Sequence, residues 1–378
     1  MEEGTYSKTI SRLWCCGIET VCTCMPKRIA ILGASGSVGS ALAAHILRAK
    51  LLEPADQLLL VGRGVLATER KLLGIRTDLI DAFDDERVRI EVVSDVCEVE
   101  ADIVVVAAGV TASYATQTRR DLGVANRGIF EHLAEQCIPR LAQALFIVVS
   151  NPVELAVKIF SLAIDRRRVI GMGAQQDSLR FARAIATDLG VSRHDVRATV
   201  LGEHGAGMIP LWRSVELMAD DPEAVERLTG LCARSAEAPL ELRVAALRSE
   251  VRQLLSENRI SESYALTNRA LPDVRIFVEP EITVRSLHST PNATANATLQ
   301  CIAAALANDR RRVHGQVELR GEVLGLNGVC GIPLSIAKNG WQAESLNWLN
   351  CDETRALKKS TQSIEQFVSE TLTMASSV

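Results

Sequence analysis

Three residue types suited to chemistry on a small acid stand within one stretch of the chain. Asp177 and Arg180 lie three residues apart in Gly171-Met172-Gly173-Ala174-Gln175-Gln176-Asp177-Ser178-Leu179-Arg180-Phe181, and His204 follows in Leu201-Gly202-Glu203-His204-Gly205. A guanidinium grips a carboxylate through two parallel, charge-assisted hydrogen bonds. An imidazole exchanges a proton near neutral pH. A carboxylate beside it fixes the tautomer and favours the charged form. Taken singly, these residues equally describe a buried Asp–Arg pair and a surface histidine. What the chain builds around them decides between the two.

The elements that must position them begin at Arg28. The apolar run Arg28-Ile29-Ala30-Ile31-Leu32 suits a buried parallel strand. It runs into Gly33-Ala34-Ser35-Gly36-Ser37-Val38-Gly39 and then a helix with Leu42, His45, Ile46 and Leu51 roughly along one face. Strand, glycine turn and helix together form a cradle for a pyrophosphate: the glycines let the backbone approach, and the helix N-terminus favours negative charge. Gly33, Gly36, Ser37, Val38 and Gly39 are therefore candidate cofactor contacts. A second strand, Gln57-Leu58-Leu59-Leu60-Val61, ends in Gly62-Arg63-Gly64. An acid at that place would hold ribose hydroxyls and repel a 2'-phosphate, whereas Arg63 can pair with one. NAD and NADP both stay open as cofactors. Further strands are expected over 88–93, 102–108 and 145–150, with a helix from 120 to about 137. Alternating strands and helices predict α/β architecture, a Rossmann doubly wound parallel sheet. Ligands collect at the carboxyl ends of such strands, here Gly109-Val110 and Ser150-Asn151-Pro152-Val153.

Composition sets the outer bounds. A chain of 378 residues has room for two domains. Its net charge of −4 gives no electrostatic footprint for nucleic acid or an anionic membrane. No apolar run reaches the length of a membrane span. Ten cysteines without a paired framework suit a reducing, cytoplasmic setting. Cys15, Cys16, Cys22 and Cys24 lack the spacing of a metal site, and no metal is expected. The expected layout is an N-terminal extension over 1–24, a nucleotide-binding domain over 25–172, a mixed α+β substrate domain over 173–368, and a polar tail over 369–378.

With these motifs in order, the chain resembles the lactate/malate dehydrogenase family. The resemblance is carried by Gly33-x-x-Gly36-x-x-Gly39, Arg119 ahead of Asp121-Leu122, Asn126, Ser150-Asn151-Pro152-Val153, Asp177-Ser178-Leu179-Arg180-Phe181 and Gly202-Glu203-His204-Gly205. It implies an NAD(P)-dependent enzyme that moves a hydride between nicotinamide and a 2-hydroxy/2-keto acid. His204 is then the proton donor-acceptor and Asp177 its partner, with Arg180 the carboxylate clamp. Arg119 on a mobile loop polarises the carbonyl, Asn151 contacts the substrate oxygen, and Asn126 lies near the cofactor. The resemblance also implies a homodimer or homotetramer.

The chain departs from the family in two places. Where a malate enzyme carries an extra arginine in the mobile loop, this sequence has Ala112, Ser113 and Tyr114, with Arg120 a possible substitute. Malate/oxaloacetate is the first expectation, and lactate or a bulkier 2-hydroxy acid the alternative. After His204 the chain is longer than the family's, with an insertion at about 235–287: a long charged helical pattern over 239–270, then a Val- and Ile-rich stretch over 274–287. It reads as a surface elaboration, a subunit contact or a lid. A short-chain reductase would need Tyr-x-x-x-Lys, which Tyr6, Tyr114 and Tyr264 do not supply. A non-catalytic NAD(P)-binding sensor is the other class; it would bind cofactor without turnover.

Overall fold

The computed structural model describes residues 26–83, 88–111, 118–218, 220–285, 290–337 and 339–374. The expected N-terminal extension over 1–24, loop residues Ala112, Ser113 and Tyr114, and the last four residues of the tail lie outside that set.

One sheet organises the molecule. Its parallel half holds β1 (Arg28–Leu32), β2 (Gln57–Val61), β3 (Arg89–Val93), β4 (Ile103–Val106), β5 (Leu145–Val148) and β6 (Val169–Gly171) in the order β3-β2-β1-β4-β5-β6. β1, β4 and β5 are apolar at nearly every position because helices cover both faces. The pleat sends Ile29 and Ile31 into one core layer and Ala30 and Leu32 into the other. The first layer packs under α1 (Ser37–Arg48) and α10 (Pro291–Ala307). The second packs under α3 (Arg119–Leu141), α4 (Val153–Ala163) and α11 (Cys351–Thr373).

β4 and β5 stop earlier than the apolar runs suggest. Ser150 explains the shared exit: its hydroxyl donates to the carbonyls of Val106 (3.1 Å) and Ala108 (2.6 Å), tying the two departing chains together.

The sheet does not end at β6. Gly171 pairs with Gln316 of β9 (Arg312–Arg320), which runs antiparallel to it. β10 (Asn327–Ala337), β7 (Val196–Gly202) and β8 (Met208–Leu217) follow, with β11 (Gly340–Ala343) on β10. This mixed half, with its helices, is the second part of the predicted α/β fold.

Between β6 and β7 runs α5 (Gly173–Leu189), and beyond β8 come α6 (Pro222–Ser235), α7 (Leu240–Ser256), α8 (Ile260–Thr267) and α9 (Pro272–Arg285). The charged pattern over 239–270 is therefore two helices rather than one. Asn258, at φ +58°, makes the break, in a left-handed conformation that asparagine tolerates. The Val- and Ile-rich stretch is α9. The stretch expected to be an insertion does not stand off the surface: Val251, Val278 and Ile282 share an apolar core with Phe181, Ile185 and Leu189 of α5.

At the other end, α11 continues to Thr373, so the first residues expected in a frayed tail are helical. Arg127 of α3 caps them, donating to the carbonyls of Thr371 (3.3 Å) and Met374 (2.6 Å). Among the described residues no helix is long and apolar enough to cross a membrane.

Candidate active site

The glycine turn is shaped for close backbone approach. Gly33 has φ +87°, and a Cβ there would lie 2.7 Å from the carbonyl oxygen of Ala107. A Cβ on Gly39 would lie 2.5 Å from the carbonyl oxygen of Gly33, so only glycine lets α1 sit this close to the turn. The N-cap of α1 is Gly36, which supplies no side-chain cap, and Ser37 is exposed. The first-turn N–H groups thus face outward with no side chain covering them, which fits a pyrophosphate. Arg63 is exposed just beyond β2 and has no ion-pair partner among the described residues.

The proton-handling residues meet where β6 gives way to α5 and β7 turns toward β8. His204 Nδ1 lies 2.7 Å from Asp177 Oδ2. Asp177 is buried, with 1% of its side chain exposed, and His204 keeps 16%. Arg180, one helical turn on, reaches Asp177 Oδ1 at 3.5 Å and Thr290 Oγ1 at 3.4 Å. Both contacts are long, so among the described residues most donors of its planar fork remain available. A Cβ on Gly173 would lie 2.6 Å from Cγ of His204, so the helix start must be glycine for the ring to occupy this place. Burial works against the charged imidazole, but the Asp177 carboxylate, by charge and by hydrogen bond, and the Glu154 carboxylate outweigh it. The His204 pKa therefore stands above its ordinary value, with Arg180 opposing.

One sequence expectation meets a different placement. Arg119 is not on a loop but is the first residue of α3, behind a capping box of Thr118 and Asp121. Its guanidinium is held by Glu154 (2.5 Å) and Glu203 and lies 4.4 Å over the Phe367 ring. Asn126 is fully buried and its carboxamide is spent on backbone. Its Nδ2 donates to the carbonyls of Val110 (2.9 Å) and Asn151 (2.7 Å), and its Oδ1 accepts from Val110 N–H (2.6 Å). It holds the β4 and β5 exits in register. Asn151 is exposed at the β5 exit, and Arg120 is exposed on α3.

Two participants escaped sequence reading. Glu154 accepts from the backbone N–H of His204 at 2.7 Å, and Glu203 carries no motif signal beyond its place beside the histidine. Glu154 directly follows Ser150-Asn151-Pro152-Val153, which was the available clue.

Residues 27–171 match the family model described as lactate/malate dehydrogenase, NAD binding domain. Over that stretch the chain resembles the lactate/malate dehydrogenase family. The likeness to family members spans both halves of the fold. An L-2-hydroxycarboxylate dehydrogenase (NAD(P)(+)) of Methanocaldococcus jannaschii is 26% identical over 91% of this chain and 98% of its own. A malate dehydrogenase of Chlorobium phaeobacteroides is 28% identical over 83% of this chain and 88% of its own. The malate dehydrogenase structure from Aeropyrum pernix superposes with a TM-score of 0.68 at 26% identity, covering 90% of this chain and 97% of that one.

Proposed function

We propose that this protein is a member of that family and catalyses reversible hydride transfer between NAD or NADP and a 2-hydroxy/2-keto acid, with malate/oxaloacetate the first substrate pair. The supporting observation is the 2.7 Å contact of His204 Nδ1 with buried Asp177, beside an Arg180 fork that is largely unspent. With Nδ1 committed to Asp177, Nε2 is the nitrogen left to face a substrate. In reduction, protonated His204 gives its proton to the substrate oxygen, and in oxidation neutral His204 takes it back. Arg180 holds the carboxylate. Arg119 leaves its two carboxylates to polarise the carbonyl, and Asn151 contacts the same oxygen. The bound nicotinamide supplies or accepts the hydride. Gly33, Gly36, Ser37, Val38 and Gly39 hold its pyrophosphate, and Asn126 holds the two strand exits in place.

A second reading, lactate or a bulkier 2-hydroxy acid, is favoured by Ala112, Ser113 and Tyr114 standing where a malate enzyme carries its extra arginine. A second substrate carboxylate then depends on Arg120, since an unpaired one is disfavoured in a dry site. Arg63 supports use of NADP beside NAD. Exposed Val65, Leu66 and Leu73 on and beside α2 (Leu66–Phe83) support a homodimer or homotetramer. Six free cysteines among the described residues support a reducing cytoplasm. Initial rates with oxaloacetate, pyruvate and branched 2-keto acids, each with NADH and NADPH, test the proposal. Oxaloacetate should give the highest kcat/KM. Cofactor binding without turnover on any acid would leave only a sensor.

A further inference from the structure

Glu154 is buried between two groups of the proposed chemistry. It is the second residue of α4, and 1% of its side chain is exposed. Oε1 accepts from the backbone N–H of His204 (2.7 Å), and Oε2 accepts from Nη2 of Arg119 (2.5 Å). A carboxylate this deeply buried is held there by charge-assisted partners, and removing one leaves a charge that its other neighbours must absorb. The charged groups around His204 are Asp177 and Arg180 from α5, Glu154 from α4, Arg119 from the start of α3, and Glu203 beside it in the chain. Of these, Arg119 is the one the proposed reaction requires to move.

We propose that Glu154 is a positioning residue that couples Arg119 to His204. Arg119 resting on Glu154 partly neutralises it. Departure of Arg119 toward a substrate carbonyl exposes the full negative charge to His204, and the imidazole then holds its proton more firmly as substrate is engaged. The same carboxylate fixes the His204 backbone throughout, so the ring stays on Asp177 while its electrostatic surroundings change. This inference rests on the roles given above to His204 and Arg119.

The test reads the His204 ring directly, by NMR titration of the histidine-labelled full chain, with the resonance assigned from His204→Asn. Glu154→Gln keeps an acceptor for the His204 N–H and removes the charge; its His204 midpoint should move down. Arg119→Gln removes the partner from Glu154; its midpoint should move up, and that rise should shrink in the Glu154→Gln background, as a double-variant cycle requires. Glu154→Asp keeps the charge but is too short to bridge both partners. Its midpoint should stay at or above the parent value, and turnover should fall on the order of tenfold from misplacement alone.

An unchanged His204 midpoint in Glu154→Gln, or an Arg119→Gln rise of equal size in both backgrounds, overturns the coupling. If Glu154→Gln fails to fold, the Arg119→Gln and Glu154→Asp titrations decide: an unmoved midpoint in the first, or a lowered one in the second, overturns it equally. Near-parent turnover in His204→Asn sinks the functional reading instead, and the ring titrations still report whether Glu154 and Arg119 act on His204.

Discussion

At the scale of single residues, His204 carries the sharpest expectations. Replacing it with asparagine should lower turnover by about a hundred- to ten-thousand-fold, with cofactor affinity nearly intact. Steady-state rates and a cofactor titration check this pair. Its raised pKa sets the sign of the pH dependence. Reduction uses the protonated ring, so it should persist above the ordinary histidine value and fade as pH rises through the raised one. Oxidation should gain over the same window. A stability contribution from the same group is present below the ordinary value and lost on that rise. Asp177→Asn should pull both pH limbs downward, which rate profiles in the two directions will show. For Arg180, lysine keeps the charge but loses the planar fork. Arg180→Lys should raise the KM for the keto acid by about tenfold or more, the size of one charge-assisted hydrogen bond. Asp177, Arg180 and His204 stood out in the sequence as candidates because each lies in a short motif. Glu154 was not, because its partners lie 35 and 50 residues away along the chain.

At the scale of elements, the first strand, glycine turn and helix follow closely from local sequence. Apolar runs and glycines encode them without help from distant residues. Gly33→Ala should cost at least about 1 kcal/mol, since it forces a Cβ into a left-handed position. Its Cβ would also press on Ala107, so cofactor affinity should fall with stability. Calorimetric melting and a fluorescence titration of reduced cofactor measure the two losses. Arg119 shows where local reading stopped. No local pattern measures whether the loop ahead of Asp121 or the helix claims it. The Thr118–Asp121 capping box and the Glu154 and Glu203 carboxylates set it on the helix. The helical break at Asn258 was hidden for a similar reason. The charged periodicity runs through it, and α7 and α8 each pack on α9 on either side of the left-handed Asn258.

At the scale of the whole molecule, α7 and α9 share one core with the helix that carries the site. Ile282 of α9 packs with Phe181 and Ile185 of α5, the helix that presents Asp177 and Arg180. Ile282→Ala should destabilise by about 2–5 kcal/mol. Activity and the far-ultraviolet dichroism signal should be lost in one urea transition; two separate transitions would mean that α7 and α9 fold apart. His314 of β9 adds a second global lever. Burial, helped by the Arg312 charge, pushes its pKa down to about 3, so it is neutral in the fold. Its ring meets Thr199 Oγ1 (3.1 Å) and Gln175 Oε1 (3.3 Å), joining β9 to β7 and α5. Unfolding frees it to take a proton, so stability should fall as pH drops below about 6.5, by up to about 1.4 kcal/mol per unit. Urea midpoints at pH 6.5 and 5 should show that loss, and His314→Gln should reduce it.

The sequence by itself determined the parallel half of the sheet, the glycine turn and the trio Asp177, Arg180 and His204. Each is written in short-range patterns of apolar runs, glycines and fixed spacings. Only the tertiary structure decided that one sheet runs on through β9 into the second half, that α7 and α9 complete the core behind α5, and that Arg119 rests on Glu154 and Glu203. Those outcomes depend on burial and charge pairing between segments far apart in the chain. No local pattern records which distant partner a buried carboxylate or an apolar helix face will meet.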